Sequence, residues 1–216
     1  LISENMKNFY ESNLKSIKKY KKALIGGGGH TREVLAQMDL NLPIFVDDNY
    51  YEPKEGYFKL SELDCDKYEV MVCVGNSQLR KSLVEKLPNN TRFFTYVHPT
   101  ALILGNDVEI GEGSFIGAYS ILTTNIKIGK HCLMNTSCHI GHDCMIGNYL
   151  SMMPGSIISG NVTIGDNVYL GTNSAIREKT ELCDDLVIGM GGMVANDIKI
   201  SGTYIGVPVK KIEYGN

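Results

Sequence analysis

No apolar run in this sequence approaches the length needed to cross a bilayer, which argues against membrane insertion. No CxxC pair occurs among the six cysteines, and a chain of 216 residues has no need of disulfide staples. Cys65, Cys73, Cys132, Cys138, Cys144 and Cys183 therefore read as reduced thiols. Charge of one sign is lacking too: the net charge of −3 gives no reason to expect nucleic acid or an anionic membrane as partner. No apolar segment followed by a small-residue cleavage site stands near the start, so the expectation is a soluble, cytoplasmic protein. Disorder is excluded by a composition 43% hydrophobic and 21% charged.

Three regions are legible. Residues 1–21 predict a Lys-rich amphipathic helix, with Met6, Phe9, Tyr10, Leu14 and Ile17 spaced by three and four. Such a helix fits a domain or subunit surface better than a membrane surface. Residues 22–97 alternate strand and helix: KKALI, then the GGGGH break, the helix TREVLAQM, and the strand PIFVDD. There follow the strand YEVMVCVGN, the helix NSQLRKSLVEKL and a final strand FFTYV over 93–97. That alternation predicts a small parallel sheet, roughly half of a dinucleotide-binding fold.

From residue 98 to 216 the pattern changes. Stepping by six from Ile110 gives Ile116, Leu122, Ile128, Met134, Ile140, Ile146 and Met152. The series continues through Ile158, Ile164, Leu170, Ile176, Leu182, Ile188 and Val194 to Ile200. An unbroken run of this length has chance odds of about one in a million. Glycine often follows the aliphatic position, and Asn, Asp or Gly stands three places on, where a tight corner needs left-handed backbone. Three six-residue faces make one coil of a triangular prism, and each coil hides its apolar edge against its neighbours. Cys132, Cys138 and Cys144 fall in a column of small residues beside the aliphatic stack, so they read as core filler.

Two places offer chemistry. His142 falls in a column otherwise held by Glu112, Thr124, Lys130, Asn148, Asp166 and Asp184, and so faces solvent with Asp143 directly after it. A carboxylate beside an imidazole fixes its tautomer and raises its basicity, as a general base requires, although most exposed His-Asp pairs are ordinary surface residues. The second place is the carboxyl edge of the predicted sheet. Residues 26–29, Asp47 with Asp48, and Gly75 with Asn76 all converge there. A tight turn with no ligand is the competing reading for the glycine run.

The motifs GGGGHTREVL, FVDD, VCVGN, VHPTA, NTSCHIGHDCMIG and GVPVKK together resemble the bacterial sugar acetyltransferases with hexapeptide repeats. That family includes sialic-acid O-acetyltransferases and N-acetyltransferases of nucleotide-linked amino sugars. The resemblance runs from about residue 22 to 212, and its nearest likeness is to enzymes that acetylate the 4-amino group of a UDP-linked 4-amino-4,6-dideoxy sugar. It implies a Rossmann-like nucleotide-sugar-binding domain followed by a left-handed parallel β-helix. It also implies a homotrimer with active sites between subunits, and acetyl-CoA as co-substrate with no metal. By the same resemblance His142 is the general base and Asp143 its acidic neighbour. Gly28, Gly29, His30, Asp47, Asp48 and Gly75 hold the nucleotide-sugar, and Ser151, Thr172 and Met190 lie along acetyl-CoA. Two positions depart from the family pattern: Met190 replaces a usual Gly, and Ser151 replaces a usual His. O-acetylation of sialic acid stays open as an alternative. So do a zinc hydrase using His131, His139 and His142, and a non-catalytic binding or scaffold protein.

Overall fold

The computed structural model describes residues 20–38 and 40–213. The helix expected over 1–21 therefore lies outside the described residues, except that Lys21 already belongs to the first strand. Five strands form one fully parallel sheet: β1 Lys21–Ile25, β2 Ile44–Val46, β3 Tyr57–Lys59, β4 Tyr68–Val72 and β5 Arg92–Phe93, in the order β3-β2-β1-β4-β5. The central strands are buried on both faces, which is why β1 and β4 read as continuous apolar runs rather than alternating ones. Helix α1, Gly29–Met38, and helix α2, Ser77–Lys86, connect them. Asn76 caps α2, its Oδ1 accepting from the Leu79 amide at 2.8 Å.

The sheet differs from the sequence pattern in two respects. Edge strand β3 has no clear alternation and goes unpredicted. The strand expected over 93–97 is two strands in two different sheets. Arg92–Phe93 pairs with β4, whereas Tyr96–Val97 pairs with Phe115–Ile116 of the coil. Phe94 between them is buried in the α/β core, so the apolar run is continuous while its hydrogen bonding is not.

The remainder is a left-handed parallel β-helix. Its first face carries the strand pairs at 115–116, 133–134, 151–152 and 169–170, its second those at 121–122, 139–140, 157–158 and 175–176. The third carries 126–128, 144–146, 163–164 and 181–182. Partners such as Leu133 and Ser151, or Ile121 and His139, stand directly above one another in register. The aliphatic stack from Ile116 through Val194 is buried, together with Cys132, Cys138 and Cys144. Burying each such side chain contributes about 1.5–3 kcal/mol. Eleven non-glycine residues at the corners, Asn125, His131 and Asp143 among them, adopt φ of 50° to 60°. Asn and Asp tolerate that conformation; Tyr119, Tyr149 and Lys179 do so because the coils above and below leave no other path.

The sixteenth step of the repeat fails. Ile200 is 64% exposed, and Ile198 takes the inward position by bridging to Leu182. The corner after Val194 is two residues short, which turns the chain into a closing antiparallel hairpin of Gly202–Gly206 and Val209–Lys211 over the end of the stack.

The three faces meet different surroundings. Phe115, Leu133 and Ser151 point outward from the first face and are buried beneath the α/β domain. The third face carries Glu109, Lys127, Thr163 and Glu181, the usual solvated surface. Along the second face the outward column is Leu102, Ile121, His139, Ile157, Ala175 and Met193, apolar at five of six levels.

Candidate functional site

The carboxyl edge of the sheet opens into a cleft of about 460 Å³ between the loops after β1 and β4. Here the strand order reverses direction, the place where open α/β sheets bind ligands. Gly28, Gly29, His30, Asp47 and Gly75 all line it, with Tyr50 and Leu79 beside them. The four glycines of the loop divide their work. A Cβ on Gly26 would strike Thr31 and the Cys73 carbonyl, and one on Gly27 would press into Val46. A Cβ on Gly28 would meet nothing within 4 Å. Packing therefore explains the first two, whereas Gly28, at the mouth of α1, faces open space.

His30 lies edge-on to Phe115 at 6.4 Å and hydrogen-bonds Glu33 at 3.3 Å through Nδ1. Its Nε2 is buried without a partner among the described residues, and burial pulls its pKa down, so the ring is neutral. Asp47 accepts from the Asn49 amide at 3.1 Å and presents Oδ2 4.0 Å from Lys86 Nζ. Asp48 turns away. Its carboxylate accepts from the Ser61 hydroxyl at 2.6 Å and the Ser61 amide at 3.0 Å, tying the turn after β2 to the segment after β3. It is thus separated from the five residues it was grouped with.

His142 and Asp143 stand at the corner between the second and third faces. His142 Nδ1 lies 2.6 Å from Asp143 Oδ2, and the imidazole is 56% exposed. Asn125, one coil below, donates through Nδ2 to Asp143 Oδ1 at 2.6 Å. That bond first, and His142 second, hold the Asp143 carboxyl below its ordinary pKa. The far nitrogen of the ring lies over Gly160, where an added Cβ would sit 2.5 Å from Nε2. The result is a fixed tautomer with Nε2 as the acceptor nitrogen. Asn125 reads from sequence as a corner residue; its second role was hidden by the eighteen-residue separation.

A further cleft of about 470 Å³ runs where the α2 N-terminus meets the first face, lined by Gly75, Asn76, Gln78, Met153, Asn167 and Tyr169. Ser151 lies beneath its rim, fully buried, its hydroxyl donating to the Gly75 carbonyl at 2.8 Å. The expectation that Ser151 lies along a cofactor thus meets a side chain with no free surface. Thr172 and the 83% exposed Met190 stack at the corner between the first and second faces, bridged by the Gly191 amide and Thr172 carbonyl at 2.8 Å. His131 is buried between Phe93 and Tyr149, while His139 lies in the second face. Among the described residues no group of three or more His, Cys, Asp or Glu is arranged to hold a metal ion, and no helix is long and apolar enough to cross a membrane.

Sequence comparison assigns both halves. Residues 21–87 match the PglD N-terminal domain, and residues 107–134 and 161–194 match the hexapeptide repeat of succinyl-transferase. The chain is 26% identical over 185 residues to GDP-perosamine N-acetyltransferase of Escherichia coli O157:H7, covering 78% of this chain and 82% of that protein. It is 33% identical over 111 residues to UDP-N-acetylbacillosamine N-acetyltransferase of Bacillus subtilis strain 168, covering 44% of this chain and 50% of that one. The acetyltransferase domain of PglB from Neisseria gonorrhoeae FA1090, solved in complex with acetyl coenzyme A, superimposes with a TM-score of 0.77 at 25% identity, over 90% of this chain and all of that one. The chain thus carries a PglD-type N-terminal domain followed by hexapeptide repeats, the arrangement of the sugar N-acetyltransferases it resembles, and is an acyltransferase.

Proposed function

We propose that the protein is an acetyl-CoA-dependent N-acetyltransferase acting on the 4-amino group of a UDP-linked 4-amino-4,6-dideoxy sugar, with His142 as general base. The observation that carries this reading is the His142–Asp143 pair at 2.6 Å, which leaves Nε2 as the ring nitrogen free to accept a proton. The named activities of the E. coli and B. subtilis relatives support a nucleotide-linked amino sugar, and the latter supports UDP. The N. gonorrhoeae complex supports acetyl-CoA as donor. Exposed Thr172 and Met190 fit a long thioester laid along the corner, and Ser151 would act only through Gly75.

Acetyl-CoA supplies an activated carbonyl for attack by the sugar amine. The new C–N bond replaces the thioester C–S bond, and coenzyme A leaves as its thiolate, which takes up a proton to become the thiol. His142 Nε2 accepts the proton that the amine loses, while Nδ1 keeps its hydrogen bond to Asp143, which stabilises the imidazolium as it forms. Gly28, Gly29 and the α1 N-terminus face the diphosphate, and the His30 ring and Asp47 line the cleft beside the rest of the substrate.

His142 is at the second-to-third corner, whereas the nucleotide cleft lies over the first face; no residue lines both. A homotrimer packed through the apolar second-face column would bring one copy's His142 to the next copy's cleft. This reading puts the active site between subunits, in a cytoplasmic enzyme.

The test is thiol release from acetyl-CoA with UDP- and GDP-linked 4-amino sugars and free sialic acid, for wild type and His142→Ala. The expected result is turnover of the UDP amino sugar, reduced by about 10²–10⁴ in the variant. An amine is partly neutral near pH 7 and needs less help than a hydroxyl, so the lower end of that range is expected. Turnover of sialic acid alone would move the protein to O-acetylation, and turnover of none would point to a binding protein.

A further inference from the structure

Arg80 is a charged residue on the buried stripe of α2, in line with Ser77 and Leu83, and only 1% exposed. Its guanidinium meets carbonyl oxygens only. Nε donates to His131 at 2.8 Å, and Nη1 to Val74 at 2.6 Å with a longer contact to Gly75 at 3.5 Å. Nη2 donates to Tyr149 at 2.8 Å and Leu150 at 2.9 Å. Among the described residues no carboxylate pairs with it. The neighbouring thiols Cys73 and Cys132 are pushed up by burial and stay neutral, so no anion compensates the charge. Burial lowers the Arg80 pKa to about 10, which leaves it protonated at neutral pH.

Burying an unpaired cation is costly unless every donor is satisfied. Here satisfaction requires three chain segments to stand in one arrangement: the Val74–Gly75 loop and two successive coils at 131 and 149–150. A planar fork with five donors imposes that arrangement where a point charge on a flexible stem would not. The loop so held is the wall common to both clefts, since Gly75 lines each. Ser151 and the Gln78–Asn167 hydrogen bond fasten the same junction from the coil side.

We infer that Arg80 is a positioning residue: by locking the Val74–Gly75 loop onto the β-helix it sets the geometry of the nucleotide-sugar cleft and of the adjoining cleft together. It touches no reacting atom. The inference rests on the function proposed above for the two clefts. A general structural role would lower the amount of folded enzyme and leave the affinity of the folded fraction unchanged. A positioning role weakens ligand binding in molecules that are folded.

Arg80→Ala and Arg80→Lys are to be compared with wild type by thermal melting, by KM and kcat, and by calorimetric Kd for UDP and for CoA. The expected result is a rise in KM or Kd of about tenfold or more in Arg80→Ala, with Arg80→Lys between it and wild type. Guanidinium chloride at tens of millimolar should restore binding to Arg80→Ala, and sodium chloride at equal ionic strength should not. Wild-type Kd and KM values in folded Arg80→Lys, or equal rescue by both salts, would overturn the inference. Should Arg80→Ala fail to fold, Arg80→Lys and Ser151→Ala decide, the latter removing one tie to Gly75 without disturbing charge. The two Kd measurements need no turnover, so loss of the proposed reaction and loss of this inference give different outcomes.

Discussion

Glycine means opposite things in the two halves of the molecule. In the β-helix a Cβ on Gly129 would lie 2.6 Å from the Gly147 carbonyl carbon, and Gly111 and Gly165 are confined in the same way by the coil above. In the loop after β1 the space beside Gly28 is empty. One set of glycines is required by stacking, and Gly28 is required by nothing the chain itself contributes. An absent side chain is informative about function only where the protein does not fill the space it leaves.

That contrast can be broken by substitution. The largest effect is expected from Gly160→Ala, whose new methyl occupies the place of His142 Nε2. The imidazole is exposed and can swing away, so kcat should fall about a hundredfold while thermal melting stays near wild type. Gly129→Ala should do the reverse. Besides Asn148 Oδ1 its contacts are the Gly147 backbone, which cannot move, so about 1–3 kcal/mol of stability is lost, measurable by denaturant unfolding, with kcat of the folded fraction retained. Gly28→Ala should leave the unfolding midpoint in place and raise KM for the nucleotide-sugar several-fold. A smaller effect belongs to Asn125→Gly, which keeps the left-handed corner without strain and removes the bond to Asp143. A few-fold drop in kcat with unchanged KM would sharpen the account.

The β-helix also carries an acid-sensitive group. His131, packed between Phe93 and Tyr149, is pushed by burial down to about 4. The folded state holds it neutral, whereas the unfolded chain takes up a proton near the ordinary histidine value of 6.5. Stability from this group is therefore full above about 6.5 and is lost as pH falls toward 4. His131→Asn, which tolerates the same backbone, should flatten that slope in melting curves taken across the interval.

The β-helix was legible because its period survives from Ile110 through Val194, so fifteen positions report one architecture. Its errors fall where the period is interrupted: Ile200 is displaced by a corner two residues short, and the strand at 93–97 straddles two sheets. The cleft at the carboxyl edge was legible from the glycine loop and Asp47, since strand ends must converge there. Asp48 was misgrouped because adjacency in sequence does not show that one carboxylate faces the cleft and the next caps Ser61. Arg80 went unnoticed because a helix polar residue reads as solvated. The available signal was its place on one stripe with Ser77 and Leu83. Three of its five carbonyl partners come from 51 to 70 residues away, and no local pattern contains them.

The central claim is that a complete site needs two copies of the chain, one giving the glycine cleft and the next giving His142. The most direct measurement is complementation between two inactive variants, His142→Ala and Gly28→Leu, co-expressed and assayed for acetyl transfer to the UDP-linked amino sugar. A shared site predicts that mixed oligomers regain a fraction of wild-type activity, because some junctions then combine an intact cleft with an intact His142. A mixture as inactive as either variant alone, in oligomers shown to contain both chains, would contradict it.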